Sequence, residues 1–184
     1  VTYTNDPNAV EQWICQNLSS NEGDSGSIIG FDVERIPRFR KLRTSEGRHK
    51  IPFAYGATVQ LATPTSCLVV HLVSRSDGRH SNSCASVLKT VLEDEKHVKA
   101  GCALDDDLVG LYELWDNGVN GNVLDARSRF DLGIVVPPSI VRGKRRGGHN
   151  RSGLQSLSRS LLGVNLPKDK RDFLSDWSTV PLSN

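Results

Sequence analysis

The chain reads as an α/β domain, a mixed β-sheet covered by helices. Three observations predict this. Strand-like segments come first, in hairpin order, and helical and strand-like segments then alternate. The helical segments carry apolar residues three and four apart, whereas the strand-like ones are short and rich in Val, Ile and Leu. The length of 184 residues fits one domain, residues 1–184, with enough chain to bury a real core.

The elements follow in order. Asp6-Pro7 is a helix start, a capping carboxylate before proline at the first helical position, and Val10, Trp13, Ile14 and Leu18 share one face beyond it. Ser19 to Ser27 is a polar loop, and a strand runs from about Ser27 to Glu34. Gly56–Thr63 and Ser66–Val73 are strands joined tightly at Thr63-Pro64-Thr65-Ser66, which predicts a hairpin. Ser81 caps a helix that buries Val87, Leu88, Val91 and Leu92. A strand over His97–Ala103 precedes a helix over Asp105–Trp115, with Leu108, Leu111, Tyr112 and Trp115 at helical spacing. A short strand is expected at Asn122–Asp125, then an amphipathic helix over Ser152–Leu162 ended by Gly163.

Composition excludes some classes. No apolar stretch is long enough to cross a bilayer, and no signal peptide opens the chain. The chain begins at Val1 and contains no methionine, which suggests a piece of a longer polypeptide. Cys15, Cys67, Cys84 and Cys102 are widely spread without metal-ligand spacing. They are expected to be reduced thiols, with Cys67 and Cys102 in the core, in an intracellular protein of the nucleus or cytoplasm. The net charge of +2 says little about partners.

The distribution of charge says more. Asp32 and Glu34 end the apolar run from Ile28, and residues two apart on a strand share a face. Val33 then points to the core while both acids project from the other side. Like charges side by side repel, and a hard divalent cation such as Mg²⁺ or Mn²⁺ removes the objection. A strand end whose acids face water is the competing reading. Two basic stretches flank the framework. One runs from Arg35 to Lys50 through Arg38, Arg40, Lys41, Arg43 and Arg48; the other holds Arg142, Lys144, Arg145, Arg146 and Arg151 among glycines. As flexible loops they would neutralise phosphates, and as solvated surface, or a nuclear import signal in the second case, they would not. Asp105-Asp106-Asp107 stands at a helix N-terminus, where the dipole favours acids. Gly23-Asp24-Ser25-Gly26 imitates a protease nucleophile loop, but no histidine precedes Ser25.

Together these segments resemble the DEDD superfamily of 3′–5′ exonucleases, in the branch of ribonuclease D and the Werner-type exonuclease domain. Phe31-Asp32-Val33-Glu34 is similar to the first motif, and Val59–Pro64 with Cys67–Val70 to the paired strands. Lys99–Leu111 resembles the second motif region, with Asp107 at its aspartate. Leu124–Arg127, Ser152–Leu157, Leu162–Lys168 and Ser175–Ser178 match later segments in order, so the resemblance covers nearly all of the chain from Ile28 onward. It implies a ribonuclease H-like fold and two-metal hydrolysis of DNA or RNA from a 3′ end, with Mg²⁺ or Mn²⁺ as cofactor and a single-stranded or 3′-ended nucleic acid as partner. Asp32 would bridge both ions, Glu34 would help hold the one that activates water, and Asp107 would act near the second. Arg38, Arg40, Lys41, Arg43, Lys144, Arg145 and Arg146 are the expected nucleic-acid-binding residues.

Three departures accompany the resemblance. Arg35 stands where the family often has tryptophan, and the basic insertion after it is long. The third motif, a Tyr-x-x-x-Asp segment supplying a general base and a fourth carboxylate, is missing before the chain ends at Asn184. Asp176 falls in a structural segment by the same resemblance and does not replace it. The chain as given is therefore expected to cleave poorly, and the alternative is a catalytically inactive nucleic-acid-binding or scaffold domain of the same fold.

Overall fold

A computed structural model describes residues 1–18, 26–36, 41–44, 47–50, 56–72, 82–116, 124–137, 139, 141, 153–167 and 177. The chain opens with strand β1 (Thr2–Thr4) and helix α1 (Pro7–Leu18), started by Asp6, whose Oδ1 accepts from the Asn8 amide. Strand β2 (Ser27–Arg35) leads to a two-stranded ribbon, β3 (Lys41–Thr44) and β4 (Gly47–Lys50). The hairpin β5 (Gly56–Ala62) and β6 (Cys67–His71) follows as expected. Then come α2 (Asn82–Glu93), β7 (His97–Gly101) and α3 (Leu104–Asp116). Strand β8 (Arg129–Asp131), the short helices α4 (Leu132–Val135) and α5 (Leu154–Leu157), and a π turn over Ser158–Leu162 complete the described elements.

Six strands form one sheet in the order β1-β6-β5-β2-β7-β8. The β6–β5 and β5–β2 pairs are antiparallel, whereas β1–β6, β2–β7 and β7–β8 are parallel. This is the mixed sheet expected from hairpin strands followed by helix–strand alternation. Strand β2 is central and shows period-two burial, with Ile29, Phe31 and Val33 inside and Ile28 and Asp32 outside. Val59, Leu61, Leu68 and Val70 extend the same core, which α1 closes with Val10, Trp13 and Leu18 and α2 with Leu88, Val91 and Leu92. Polar anchors pin the layers: Trp13 Nε1 donates to Ser66 Oγ at 2.8 Å, and buried Lys99 donates through Nζ to the Asp94 carbonyl at 2.9 Å. Burial lowers the Lys99 pKa to about 8, against the pull of the Asp94 charge.

Several sequence expectations need correction. The basic stretch after Arg35 is not simply a flexible loop, because Lys41–Thr44 and Gly47–Lys50 pair as the β3–β4 ribbon. Leu124 and Asp125 form no strand. Leu124 and Ala126 are buried, but the Asp125 amide donates to Glu93 Oε1 and the Arg127 amide to the Leu92 carbonyl. An extended segment thus docks on the end of α2, and the strand lies later, at β8. Strand β7 stops at Gly101 rather than Ala103, because Ala103 has a left-handed φ of 63°. All four cysteines are free, as expected, but Cys84 is the buried one while Cys67 and Cys102 are half-buried. Around α5 only Leu157 and Ser158 are buried, and the helix passes into the π turn before Gly163, at φ 70°, ends it. Ser19–Ser25, Val73, Ser81, Asn122 and Ser152 lie outside the described residues. No described helix is long and apolar enough to cross a membrane.

One glycine marks where backbone meets backbone. A Cβ on Gly101 would lie 2.4 Å from the Phe31 carbonyl oxygen and 2.8 Å from Leu104 Cδ2. Gly101→Ala is therefore expected to destabilise the domain by about 1–3 kcal/mol, read from the midpoint of urea unfolding. An unchanged midpoint would show that β2 and β7 separate easily there.

Candidate active site

The site is built where β2 and β7 end side by side. Their parallel register sets Gly30 beside Ala100, so Phe31–Arg35 runs past the point where β7 turns into α3. Pairing with β5 holds Asp32 opposite Gln60 and Glu34 opposite Thr58. Between Glu34 and Arg35 the register slips, and Arg35 pairs with Gly56. A bulge of this kind bends the strand and re-aims side chains. Beyond Gly101, the Ala103 carbonyl accepts the amides of Asp106 (3.0 Å) and Asp107 (3.3 Å), which starts α3.

The three acids of that first turn have different fates. Asp105 is exposed and pairs with Arg129 Nη1 at 2.7 Å. Asp107 turns inward, with its Oδ2 buried and without a hydrogen-bond partner. Its pKa is pushed up to about 7, first by burial, then by the negative charge of Asp32, with Asp106 and Glu34 adding to the rise and Arg35 opposing it. Asp32 keeps one side open to solvent, yet burial of its carboxyl raises its pKa against a hydrogen bond from the Val33 backbone. Asp32, Glu34 and Asp107 therefore lie within electrostatic reach of one another, although Asp107 is distant in sequence.

Two further neighbours lie outside the expected site residues, because both reach the carboxylates through space rather than along the sequence. Arg35 brings a cation to Asp107, and its Nη2 is buried without a partner. Asp131 caps α4 by accepting the Gly133 amide on Oδ1 at 2.8 Å, while its Oδ2 is buried and unpartnered. The Cys102 thiol connects it to the group: its pKa rises to about 11 through burial and the charges of Asp131, Asp32 and Asp107.

Among the described residues, no three His, Cys, Asp or Glu side chains stand close enough to enclose an ion. The donor chemistry nevertheless suits a hard divalent cation. An unpartnered buried carboxylate oxygen and a pKa raised by like charge are what a cation would relieve. Lys41 and Arg43 lie in β3, whereas Arg38, Arg40, Lys144, Arg145 and Arg146 lie outside the described residues.

Comparison with known proteins adds an independent line. No family model matches the chain. A 3′-5′ exonuclease of Arabidopsis thaliana is 31% identical over 168 residues, covering 90% of this chain and 49% of the relative. The chain thus spans about half the length of that curated relative. The Nibbler EXO domain of Aedes aegypti aligns with a TM-score of 0.60 at 19% identity, over 100% of this chain and 75% of that one. RNase D of Escherichia coli, an exoribonuclease involved in structured RNA processing, aligns at 0.59 and 19% identity, over 99% and 38%. NrnC of Brucella melitensis bound to pGG aligns at 0.53 and 19% identity, over 91% and 64%. These structural likenesses establish a shared fold.

Proposed function

We propose that this chain is a 3′–5′ exonuclease domain of the DEDD superfamily, and that residues 1–184 form one domain that hydrolyses terminal phosphodiester bonds of nucleic acid with divalent cations; the similarity to a 3′-5′ exonuclease of Arabidopsis thaliana supports this reading. The observation that carries the reading is the electrostatic meeting of Asp107 with Asp32 and Glu34 at the ends of β2 and β7. Asp32, Glu34 and Asp107 would hold Mg²⁺ or Mn²⁺. Held there, such ions would supply electrostatic stabilisation of the attacking and leaving oxygens of an in-line displacement.

The protein's own contribution is charge and position. Asp32 and Glu34 present oxygens from one strand face, fixed by their register with β5. Asp107 faces them from the first turn of α3 and holds its proton near neutral pH, so cation uptake releases that proton. Arg35 offsets part of the carboxylate charge and has a buried N–H free to meet a phosphate oxygen. Arg38, Arg40, Lys41, Arg43, Lys144, Arg145 and Arg146 raise the local concentration of a 3′-ended single strand. NrnC bound to pGG supports a short nucleic acid as the occupant. Four free thiols support a reducing, intracellular setting.

The test is single-turnover digestion of a 5′-labelled strand, with this chain and with any longer native chain that contains it. A ladder shortening from the 3′ end in Mg²⁺ or Mn²⁺ is expected, weak with this chain and strong with a longer one that supplies the third motif, and absent with chelator or when the 3′-hydroxyl is blocked. Internal cuts, or cleavage indifferent to chelator, would overturn the assignment.

A further inference from the structure

Strand β8 is short, yet it is pinned on both sides of its middle residue. Arg129 Nη1 donates to Asp105 Oδ1 at 2.7 Å, which ties the strand to the first turn of α3. Asp131 Oδ1 accepts the Gly133 amide at 2.8 Å. Between them Phe130 is 45% exposed. An aromatic ring carries a large apolar surface, and here a fixed backbone holds much of it in water.

Register says which side of the sheet the ring is on. Ala62 pairs with Gly30, Gly30 with Ala100, and Ala100 with Phe130, so the four stand in one row across β5, β2, β7 and β8. Laterally paired residues share a face, and Gly30 shares its face with Asp32, two residues further along β2. Phe130 therefore rises from the same side as Asp32. Leu92 of α2 and Leu104 and Leu108 of α3 surround a small cavity with Phe31, on the opposite face. Single exposed apolar residues are ordinary on a surface. These are not scattered: Ile28, 69% exposed, and Phe130 flank a floor at Gly30 and Ala100 that carries no more than a methyl group. Two strand spacings of about 4.8 Å and two residue steps of about 3.3 Å put Phe130 roughly 12 Å from Asp32, Cα to Cα. That is the scale of one nucleotide, from a phosphate at the carboxylates to its base.

We infer that Phe130 is the stacking platform for the nucleobase at the 3′ end of the substrate, an inference that rests on the nuclease reading above. With the terminal linkage at Asp32, Glu34 and Asp107, the last sugar lies over the Gly30–Ala100 floor and its base lies on the ring. A ring meets a base by its face, which every base has, so the platform takes any terminal base. The Arg129 and Asp131 contacts fix β8 before substrate arrives, which lowers the ordering cost of binding.

The experiment compares the native chain, and any longer native chain that contains it, with Phe130→Leu and Phe130→Trp. Anisotropy titrations with chelator present use two short labelled single strands, one ending in an ordinary 3′ nucleotide and one in an abasic 3′ nucleotide. Native protein is expected to bind the ordinary end about tenfold more tightly, within the roughly 5- to 150-fold that one base–aromatic stack supplies. Phe130→Leu should bind both strands alike, at the native affinity for the abasic one. Phe130→Trp should keep the preference. Its added indole fluorescence, read as the difference from the native spectrum, should be quenched by the ordinary strand and not by the abasic one. No native preference, a preference that survives in Phe130→Leu, or an indole blind to the ordinary strand overturns the platform. So does a sharp fall in the unfolding midpoint of Phe130→Leu with equal losses for both strands, which would assign the ring to a covering segment of protein. Cation-dependent shortening of the ordinary strand, measured alongside in every chain, separates the two ideas. It persists if only the platform is wrong, and it is absent from native and variant chains alike if the nuclease reading is wrong.

Discussion

Asp107→Asn will make the cation-free domain more stable at pH 8 while weakening its hold on divalent ions. The carboxyl of Asp107 has a pKa of about 7 against an ordinary 3.8, raised chiefly by burial and then by the Asp32 charge. Between those values the folded state binds more protons than the unfolded state. Stability therefore falls as pH rises from about 4 to about 7, and above 7 the whole penalty is present. Asparagine carries no charge to desolvate, so it should recover roughly 2–4 kcal/mol at pH 8 and nothing at pH 3.5. The same substitution removes an anionic oxygen from the cation site, where affinity should drop on the order of tenfold to a hundredfold. Chelated urea melts at several pH values give the first quantity, and Mn²⁺ titration calorimetry the second. A variant less stable than the native chain at pH 8, or an unaltered stability–pH slope, would show that Asp107 is not held against its like-charged neighbours.

Asp32→Asn is expected to cost on the order of 10³-fold in single-turnover cleavage, the scale of losing one preorganised electrostatic stabiliser. Asparagine keeps the shape and the acceptor for the Val33 amide, so β2 should be undisturbed. Because burial disfavours the ionised carboxyl, the neutral variant should fold at least as well as the native chain at neutral pH. The comparison that matters is rate against thermal midpoint in the same preparations. A residual rate within about tenfold of the native one, in a folded variant, would remove Asp32 from the reaction and shift attention to other acids.

Much of the framework is legible in the amino-acid sequence, for reasons visible at particular residues. Strand β2 alternates Ile29, Phe31 and Val33 inward against Asp32 outward, and that period of two announces a half-buried strand. Helix α1 shows Val10, Trp13 and Leu18 on one face behind an Asp-Pro start. Asp107 is a different case. Three consecutive acids at a helix start do not say which one turns inward, and only the family resemblance singles out Asp107. The rest is hidden because its cause is not local. Strand β1 is three residues long and largely exposed, and becomes a strand only by pairing with β6. The segment at Leu124 imitates a strand by burial, but its amides bond to the end of α2. The ribbon is concealed by its own composition, since Lys41–Thr44 and Gly47–Lys50 together read as a plain basic run and pair only through their backbone register. Arg35 and Asp131 enter through space, across a bulge and across a neighbouring strand.

Ala103 has the largest influence for its size. An α-helix advances about 100° per residue, so the residue at which a helix begins sets the compass bearing of every side chain after it. At Ala103 the backbone swings into a left-handed conformation, φ 63°, that a residue with a Cβ adopts at a cost of about 1–2 kcal/mol. That swing breaks the strand from the helix within two residues and starts α3 at Leu104. If α3 began one residue later with the same sequence, the bearings of Asp105, Asp106 and Asp107 would rotate by about a quarter turn or more. The buried, unpartnered oxygen would then belong to a different acid. The strained alanine acts as the index mark on a dial, and the dial is read at Asp107.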